Sequence, residues 1–329
     1  MNTIFDGGIN FILWLQSLGN WLVAPMKFFS FLGTEEFFLL FMPILYWCVD
    51  AAIGLRVGTI LLLSNGLNSA LKLAFHSPRP FWYSPKVAAH AFEGSFGIPS
   101  GHAQTAAGVW GMLAASLRRV WTWVLLLALI FFIGLSRMFL AVHFPVDVIS
   151  GWVFGLILLW MVLALQTPVM TWMKKQTFGM QLFAVFLASL ALILLAVIAK
   201  MSASSFPLPD EWVSRAAAAF PEEEPLNPIE LAGAFTSAGA FFGLAGGALW
   251  LFGRGGFSAG GPLWKRVLRY PIGLVGVLVL WYGFCAVFPR GETLLAYLLR
   301  FLRYGLVGVW LSALSPLVFM KLRLAKDNK

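Results

Sequence analysis

Residues 118–147 read RRVWTWVLLLALIFFIGLSRMFLAVHFPVD. Two arginines open the stretch, an apolar run follows, and Ser136, Arg137, His143 and Asp147 close it. The apolar middle is long enough for a membrane-crossing helix, which needs roughly 20 apolar residues. Its ends differ in kind. Arg118 and Arg119 stand together without an acid, the mark of a cytoplasmic loop. At the opposite boundary stand ionisable groups, where charge is costly and functional by default.

The whole chain follows this pattern. It has 329 residues, 60% hydrophobic and 11% charged, whereas soluble domains carry about 25% charged residues. That balance excludes an ordinary soluble enzyme, and it excludes a disordered chain, which needs high charge and few apolar residues. Apolar runs fall at 36–49, 55–75, 102–117, 120–142, 146–163, 182–198, 231–252, 271–287 and 305–320. The expected fold is an all-α, polytopic bundle of about nine transmembrane helices. Segment 5–32 is aromatic-rich but broken by Gly19, Asn20, Pro25 and Lys27. It reads as a helix lying in the interface or a re-entrant piece, with a tenth span as the alternative. Cys48 and Cys285 sit in apolar runs, as small buried hydrophobes do, so no disulfide framework or zinc site is expected. The first ten residues lack a basic region, which argues against a cleaved signal peptide.

Loop charges orient the bundle. Arg56, Arg118, Arg119, Lys174, Lys175, Arg254, Lys265, Arg266, Arg269, Lys321, Arg323, Lys326 and Lys329 fall on one side, thirteen of the 23 lysines and arginines. Glu35, Glu36, Glu93, Asp147, Asp210, Glu211, Glu222, Glu223, Glu224, Glu230 and Glu292 fall on the other. The C-terminus is therefore expected in the cytoplasm and the N-terminus outside. The net charge of +9 is then largely topological, and no nucleic-acid partner is implied. The Gly/Ser/Pro linker 254–262 and the Pro/Glu stretch 202–228 read as long loops. No internal repeat suggests an inverted-repeat transporter. Gly239, Gly243 and Gly247 form a small-residue stripe, read as packing inside the bundle in preference to a dimer face.

Four segments place polar groups at the outer boundary: Lys72 to Pro80, Pro99 to His102, Ser136 to His143, and Phe144 to Asp147. Lys72, Arg79 and Arg137 are three cations with few acids near them, so the site calls for a polyanion. Guanidinium forks match phosphate oxygens and a lysine adds a point charge. Ser100 and Gly101 precede a helix whose first N–H groups form an anion seat. Asp147 can reach back to His143 and set its tautomer. His102 supplies a second imidazole from another helix. Singly, each residue has a bland reading: a capping serine, a snorkelling lysine, an anchoring arginine. Jointly, on one face, they assemble a phosphoryl-transfer site. A metal reading fails on ligand count, because hard-metal phosphatases need more carboxylates. His76 reads as lining the mouth and His90 as solvated.

The set K-x6-RP (Lys72 to Pro80), PSGH (Pro99 to His102) and SR-x5-H-x3-D (Ser136 to Asp147) resembles the three-part signature of the type 2 phosphatidic acid phosphatase superfamily. The resemblance covers roughly 34–165. The stretch from Ser136 to Asp147 also looks like glucose-6-phosphatase, whose nine-span layout matches. Gly33 to Phe38 with Tyr46 to Asp50 looks like sphingosine-1-phosphate phosphatase relatives. The resemblance implies that His143 attacks phosphorus, that Asp147 orients it, and that His102 protonates the leaving oxygen and later activates water. It implies that Lys72, Arg79, Ser100, Gly101 and Arg137 hold the phosphoryl oxygens, with no metal or organic cofactor.

The implied division is an N-terminal interfacial helix (1–33), a catalytic core (34–169) and a C-terminal helical extension (170–329). The extension has three roles open to it: shaping the substrate entrance, binding membrane lipid, or supporting a homo-oligomer. The expected activity is hydrolysis of a lipid phosphate or polyprenyl diphosphate at the outer face, of the cell membrane if the source is prokaryotic. The rivals are hydrolysis of a soluble sugar phosphate, phosphotransfer to an acceptor other than water, and anion transport through the cationic site.

Overall fold

The computed structural model describes residues 2–289 and 291–327. Lys329, counted above among the basic residues, lies outside them. The described chain is helical, with no strand. In order the helices are α1 (Asn2–Ser17), α2 (Val23–Phe31), α3 (Glu35–Pro43), α4 (Ala51–Phe75), α5 (Pro80–Tyr83), α6 (Gly101–Leu117), α7 (Val120–Phe139), α8 (Pro145–Met173), α9 (Phe178–Ala203), α10 (Asp210–Ala219), α11 (Ala232–Phe252), α12 (Leu263–Val287), α13 (Leu294–Val309) and α14 (Ser315–Lys321). Two π-helical turns, Ile44–Val49 and Trp310–Leu314, continue α3 and join α13 to α14.

Seven segments are long and apolar enough to cross a membrane, and the pair Asn20–Phe31 and Glu35–Val49, bent by 51°, adds an eighth. The ninth expected span is α6, whose 17 residues reach only about 25 Å at the usual helical rise. It is short because the boundary motif itself forms its first turn. The segment expected at the interface divides in two at Gly19, whose φ of 117° suits a residue without Cβ. Its first half, α1, buries Phe5, Ile9, Ile12 and Leu15 along one face.

The chain forms two compact units drawn from interleaved stretches. The first takes Met1–Phe37, Leu67–Leu159 and Ala196–Glu230. Its centre is α6, buried along most of its length, as a helix apolar on all sides must be. Gly151 and Gly155 of α8 lie against the backbone oxygens of Ser100 and Gln104, where an added Cβ would collide. Gly134 of α7 makes room for Trp152 in the same way. These close approaches set the ends of α6, α7 and α8 side by side. The stretch 202–228, read as a loop, contains α10, and this is a correction. Trp212 of α10 lies 6.3 Å from Trp82, and Arg215 donates to the Tyr83 carbonyl at 2.5 Å. Aromatic anchors rather than helical periodicity order this segment.

The second unit takes Phe38–Gly66, Trp160–Leu195 and Leu231–Lys329. The stripe Gly239, Gly243 and Gly247 faces Phe301, Gly305 and Ser312 on α13 and the turn beyond it. Small residues there let two backbones meet, which is how apolar helices associate in lipid. The π-turn after α13 frees carbonyls that buried donors use. Tyr46 donates to Ser312 O at 2.7 Å and Trp47 to Leu311 O at 2.9 Å.

Candidate active site

The site lies inside the first unit, where α4, α6, α7 and α8 begin or end. Lys72 stands in the last turn of α4 and donates to Ser95 Oγ at 2.7 Å. Arg79 is fully buried. Its Nε donates to Ser95 O at 2.5 Å, Nη1 to Val142 O at 2.9 Å, and Nη2 to Ser95 Oγ at 3.0 Å. Arg137, in the last turn of α7, donates to Ser30 Oγ at 2.5 Å. Its Nε has no partner among the described residues.

His143 has both ring nitrogens engaged. Its Nδ1 lies 3.2 Å from Asp147 Oδ2, and its Nε2 lies 3.2 Å from Arg79 Nη1. A guanidinium carries only donors, so Nε2 presents its lone pair and Nδ1–H donates to Asp147. The same Asp147 oxygen accepts from the Phe144 N–H at 2.8 Å. One imidazole edge is thereby tied to a carboxylate and the other faces the cations. Burial, and then the positive charges of Arg79, Arg137 and Lys72, push the His143 imidazole well below its ordinary pKa. A buried ring among cations resists a further proton.

Ser100 caps α6, its Oγ accepting from the Ala103 N–H at 3.4 Å. Its own N–H donates to Asp147 O at 2.9 Å, which ties the start of α6 to the start of α8. Gly101 sits against Asn68 Oδ1, 3.0 Å from where a Cβ would stand. His102 is half-buried, and its buried Nε2 has no partner among the described residues. All eight expected residues are therefore gathered in the first unit. Direct bonds join Arg79, His143 and Asp147, with Ser100 bonded to Asp147 and Lys72 sharing Ser95 with Arg79.

The sequence reading missed the partners of these groups. From the sequence Glu93 reads as one of the outer-loop acids. Its carboxylate pairs with Arg137 and lies 3.5 Å from Arg79 Nη2. Arg79 and Arg137 are thus not left unpaired, which corrects the expectation of an unbalanced cluster. Burial alone would raise the Glu93 pKa, but Arg79, Arg137 and Lys72 outweigh it and hold the carboxyl well below its usual range. Glu35 lies within electrostatic range of Lys72 and Glu93. Asn68 donates to Pro99 O at 3.2 Å and to Gln104 Oε1 at 2.9 Å, bracing the turn before α6. Gly33 abuts the His102 ring, where a Cβ would lie 3.1 Å from it. The loop residues Glu93 and Ser95 carry no periodic signal. His76 stacks on Phe206 with centroids 5.2 Å apart. His90, read as solvated, is only partly exposed and stacks on Phe139 at 6.1 Å.

Comparison with known proteins agrees with the motifs. Residues 53–171 match the PAP2 superfamily, and residues 235–327 match the family described as PAP2 superfamily phosphatase, transmembrane extension. The chain is 28% identical to glucose-6-phosphatase 3 of Bos taurus, over 96% of this chain and 95% of that protein. It is 30% identical to the probable sphingosine-1-phosphate phosphatase of Dictyostelium discoideum, over 45% of this chain and 39% of that protein. A solved transmembrane PAP2-type phosphatidylglycerolphosphate phosphatase from Bacillus subtilis is 23% identical, covering 51% of this chain and 89% of that one, with a TM-score of 0.45.

Helical architecture and these matches together define an integral, multi-pass membrane protein of the phosphatase class. Residues 53–171 belong to the PAP2 superfamily, and residues 235–327 to that superfamily's transmembrane extension.

Proposed function

We propose that this phosphatase hydrolyses phosphate esters without a metal, through a phosphohistidine. His143 Nε2 attacks phosphorus and forms the N–P bond as the bond to the leaving oxygen breaks. His102, on the facing helix, gives its proton to that oxygen. Water then attacks phosphorus, His102 takes its proton, and the N–P bond breaks to release phosphate and free His143. Lys72, Arg79 and Arg137, with the Ser100 hydroxyl and the Gly101 N–H, hold the equatorial oxygens as charge develops, the Ser100 N–H being already engaged by Asp147 O. Asp147 supports the positive charge that the imidazole acquires. The observation that carries this reading is the His143 ring held between Asp147 and Arg79 at 3.2 Å on each side. In the same scheme the incoming phosphoryl group takes over Arg79 and Arg137 from Glu93.

The first reading of the substrate is a lipid phosphate or diphosphate at the outer face. A site at the ends of membrane helices admits a headgroup while its tail stays in lipid. The end-to-end likeness to glucose-6-phosphatase 3 supports a second reading, a soluble sugar phosphate. Residues 34–169 are proposed as the catalytic core, residues 170–329 as the extension, and residues 1–33 as the segment that precedes the core. The C-terminus is placed in the cytoplasm.

The test is phosphate release by the purified wild type and His143→Ala in EDTA, with acid-labile phosphoenzyme trapped from a labelled substrate. Equal release by both proteins removes the nucleophile assignment. A panel of micellar lipid phosphates, diphosphates and glucose 6-phosphate decides the substrate. A strong preference for the sugar phosphate overturns the first reading.

A further inference from the structure

The second unit holds a cavity of about 430 Å³ at the start of α12 and the end of α14. Its wall is basic: Lys265, Arg323 and Lys326 line it, and Arg269 forms its floor. Arg269 is 1% exposed and spends all its donors on backbone oxygens. Nε and Nη2 reach Leu324 O at 3.1 and 2.7 Å, Nη1 reaches Trp47 O and Ala259 O at 2.9 and 2.6 Å, and Nη2 reaches Gly260 O at 2.7 Å. These bonds tie the 254–262 linker and the 322–326 turn into one rim. Ser258 N–H reinforces it by donating to Lys326 O at 2.8 Å.

Carbonyl dipoles solvate a guanidinium without cancelling its charge. Among the described residues, Lys265, Arg266, Arg269, Arg323 and Lys326 form no ion pair, and Asp327, next to Lys326, pairs with none of them. Lys265 Nζ donates to Arg323 O at 2.8 Å and keeps two further N–H groups. The cavity therefore has unneutralised positive charge, spare donors and room for a polar group. The positive end of the α12 dipole adds to this potential.

What surrounds the cavity identifies the occupant's source. Leu263, Trp264, Val267, Leu268 and Leu322 are all exposed beside it. The first four belong to a helix apolar enough to cross a membrane, and Leu322 directly follows the end of another. Trp264 carries Lys265 over its ring at 5.3 Å, an aromatic–cation pair of the kind found at the headgroup level. A soluble anion would use the basic wall alone. An anionic phospholipid would use both, its phosphate in the cavity and its acyl chains along the exposed apolar side chains.

We infer that this basic cavity binds the headgroup of an anionic phospholipid from the surrounding membrane. The site lies in the C-terminal extension and is separate in sequence from the Lys72 to Asp147 motifs. Basic residues at a helix end attract anionic lipid by about 1 kcal/mol each, so three give a preference well above tenfold over zwitterionic lipid.

Native mass spectrometry of the full-length protein tests this, with phosphatidylglycerol competed against phosphatidylcholine. Wild type should retain phosphatidylglycerol with at least a tenfold preference and gain thermal stability from it. The Lys265→Gln/Arg323→Gln protein should lose most of that preference while releasing phosphate at the wild-type rate in zwitterionic micelles. A double variant that folds and keeps the full preference overturns the site. Should the double variant fail to fold, Lys326→Gln is read in its place by the same criterion. Stabilisation of wild type by glycerol 3-phosphate or inorganic phosphate equal to that by the lipid overturns the lipid as occupant.

Discussion

Replacing Glu93 by glutamine should tighten the binding of phosphate-like anions. Glu93 spans Arg79 and Arg137, two of the three cations proposed to take the phosphoryl oxygens. A substrate must break those contacts before it makes its own. A hydrogen bond to a charged group is worth about 1.5–3 kcal/mol net. The Glu93 side chain is 27% exposed, which screens it and favours the lower end. Removing the carboxylate charge should therefore lower the inhibition constant of inorganic phosphate or orthovanadate by about tenfold, since 1.4 kcal/mol is a decade. The same change leaves Arg137 and Arg79 without a carboxylate partner, so the protein should melt a few degrees earlier. The assay is competitive inhibition of phosphate release, with thermal melting of the same preparations. An inhibition constant that stays the same or rises, in a Glu93→Gln protein that still melts cooperatively and turns over, refutes the competition argument. It would make Glu93 a holder of Arg137 rather than a rival of the substrate.

Three further outcomes follow from the same geometry. The depressed pKa of His143 keeps its ring neutral as pH falls through the ordinary histidine range, so the acid limb of phosphoenzyme formation should lie below about pH 6.5. Stability should fall in that same acid window, because the unfolded chain binds a proton that the buried ring refuses; a limb centred at or above 6.5 speaks against the assigned environment. Gly243→Val places side-chain atoms against the Gly305 carbonyl, and such overpacking costs about 1–3 kcal/mol. Its melting temperature should drop clearly, and an unchanged melt would show that α11 and α13 do not meet closely there. For orientation, a single cysteine placed at Lys175 in a cysteine-free background should react with a membrane-impermeant thiol reagent only after the membrane is opened, whereas one at Lys86 should react in intact cells. The reverse pattern inverts the proposed topology.

The membrane class and most of the spans were readable in the sequence, because a bilayer imposes length and polarity on every crossing. The motif residues were readable for a related reason: charge is so scarce here that Lys72, Arg79 and Arg137 stand out against apolar neighbours. Two kinds of feature were hidden. Helix α10 lacks a long apolar run, and its order comes from Trp212 and Arg215 meeting residues far back in the chain. Glu93 and Ser95 sit in a loop, where no periodicity predicts the direction of a side chain.

Sequence by itself determined the number and polarity of the apolar runs, the loop charges and the set of reactive residue types. These are local properties, fixed by the transfer of side chains between water and lipid. Tertiary structure decided which groups touch. It set His143 between Asp147 and Arg79, gave the clustered cations a carboxylate from a distant loop, and folded the C-terminal linker around the buried Arg269. Those outcomes depend on close helix approach at glycines and on buried donors finding acceptors, which are long-range constraints absent from any single stretch of the chain.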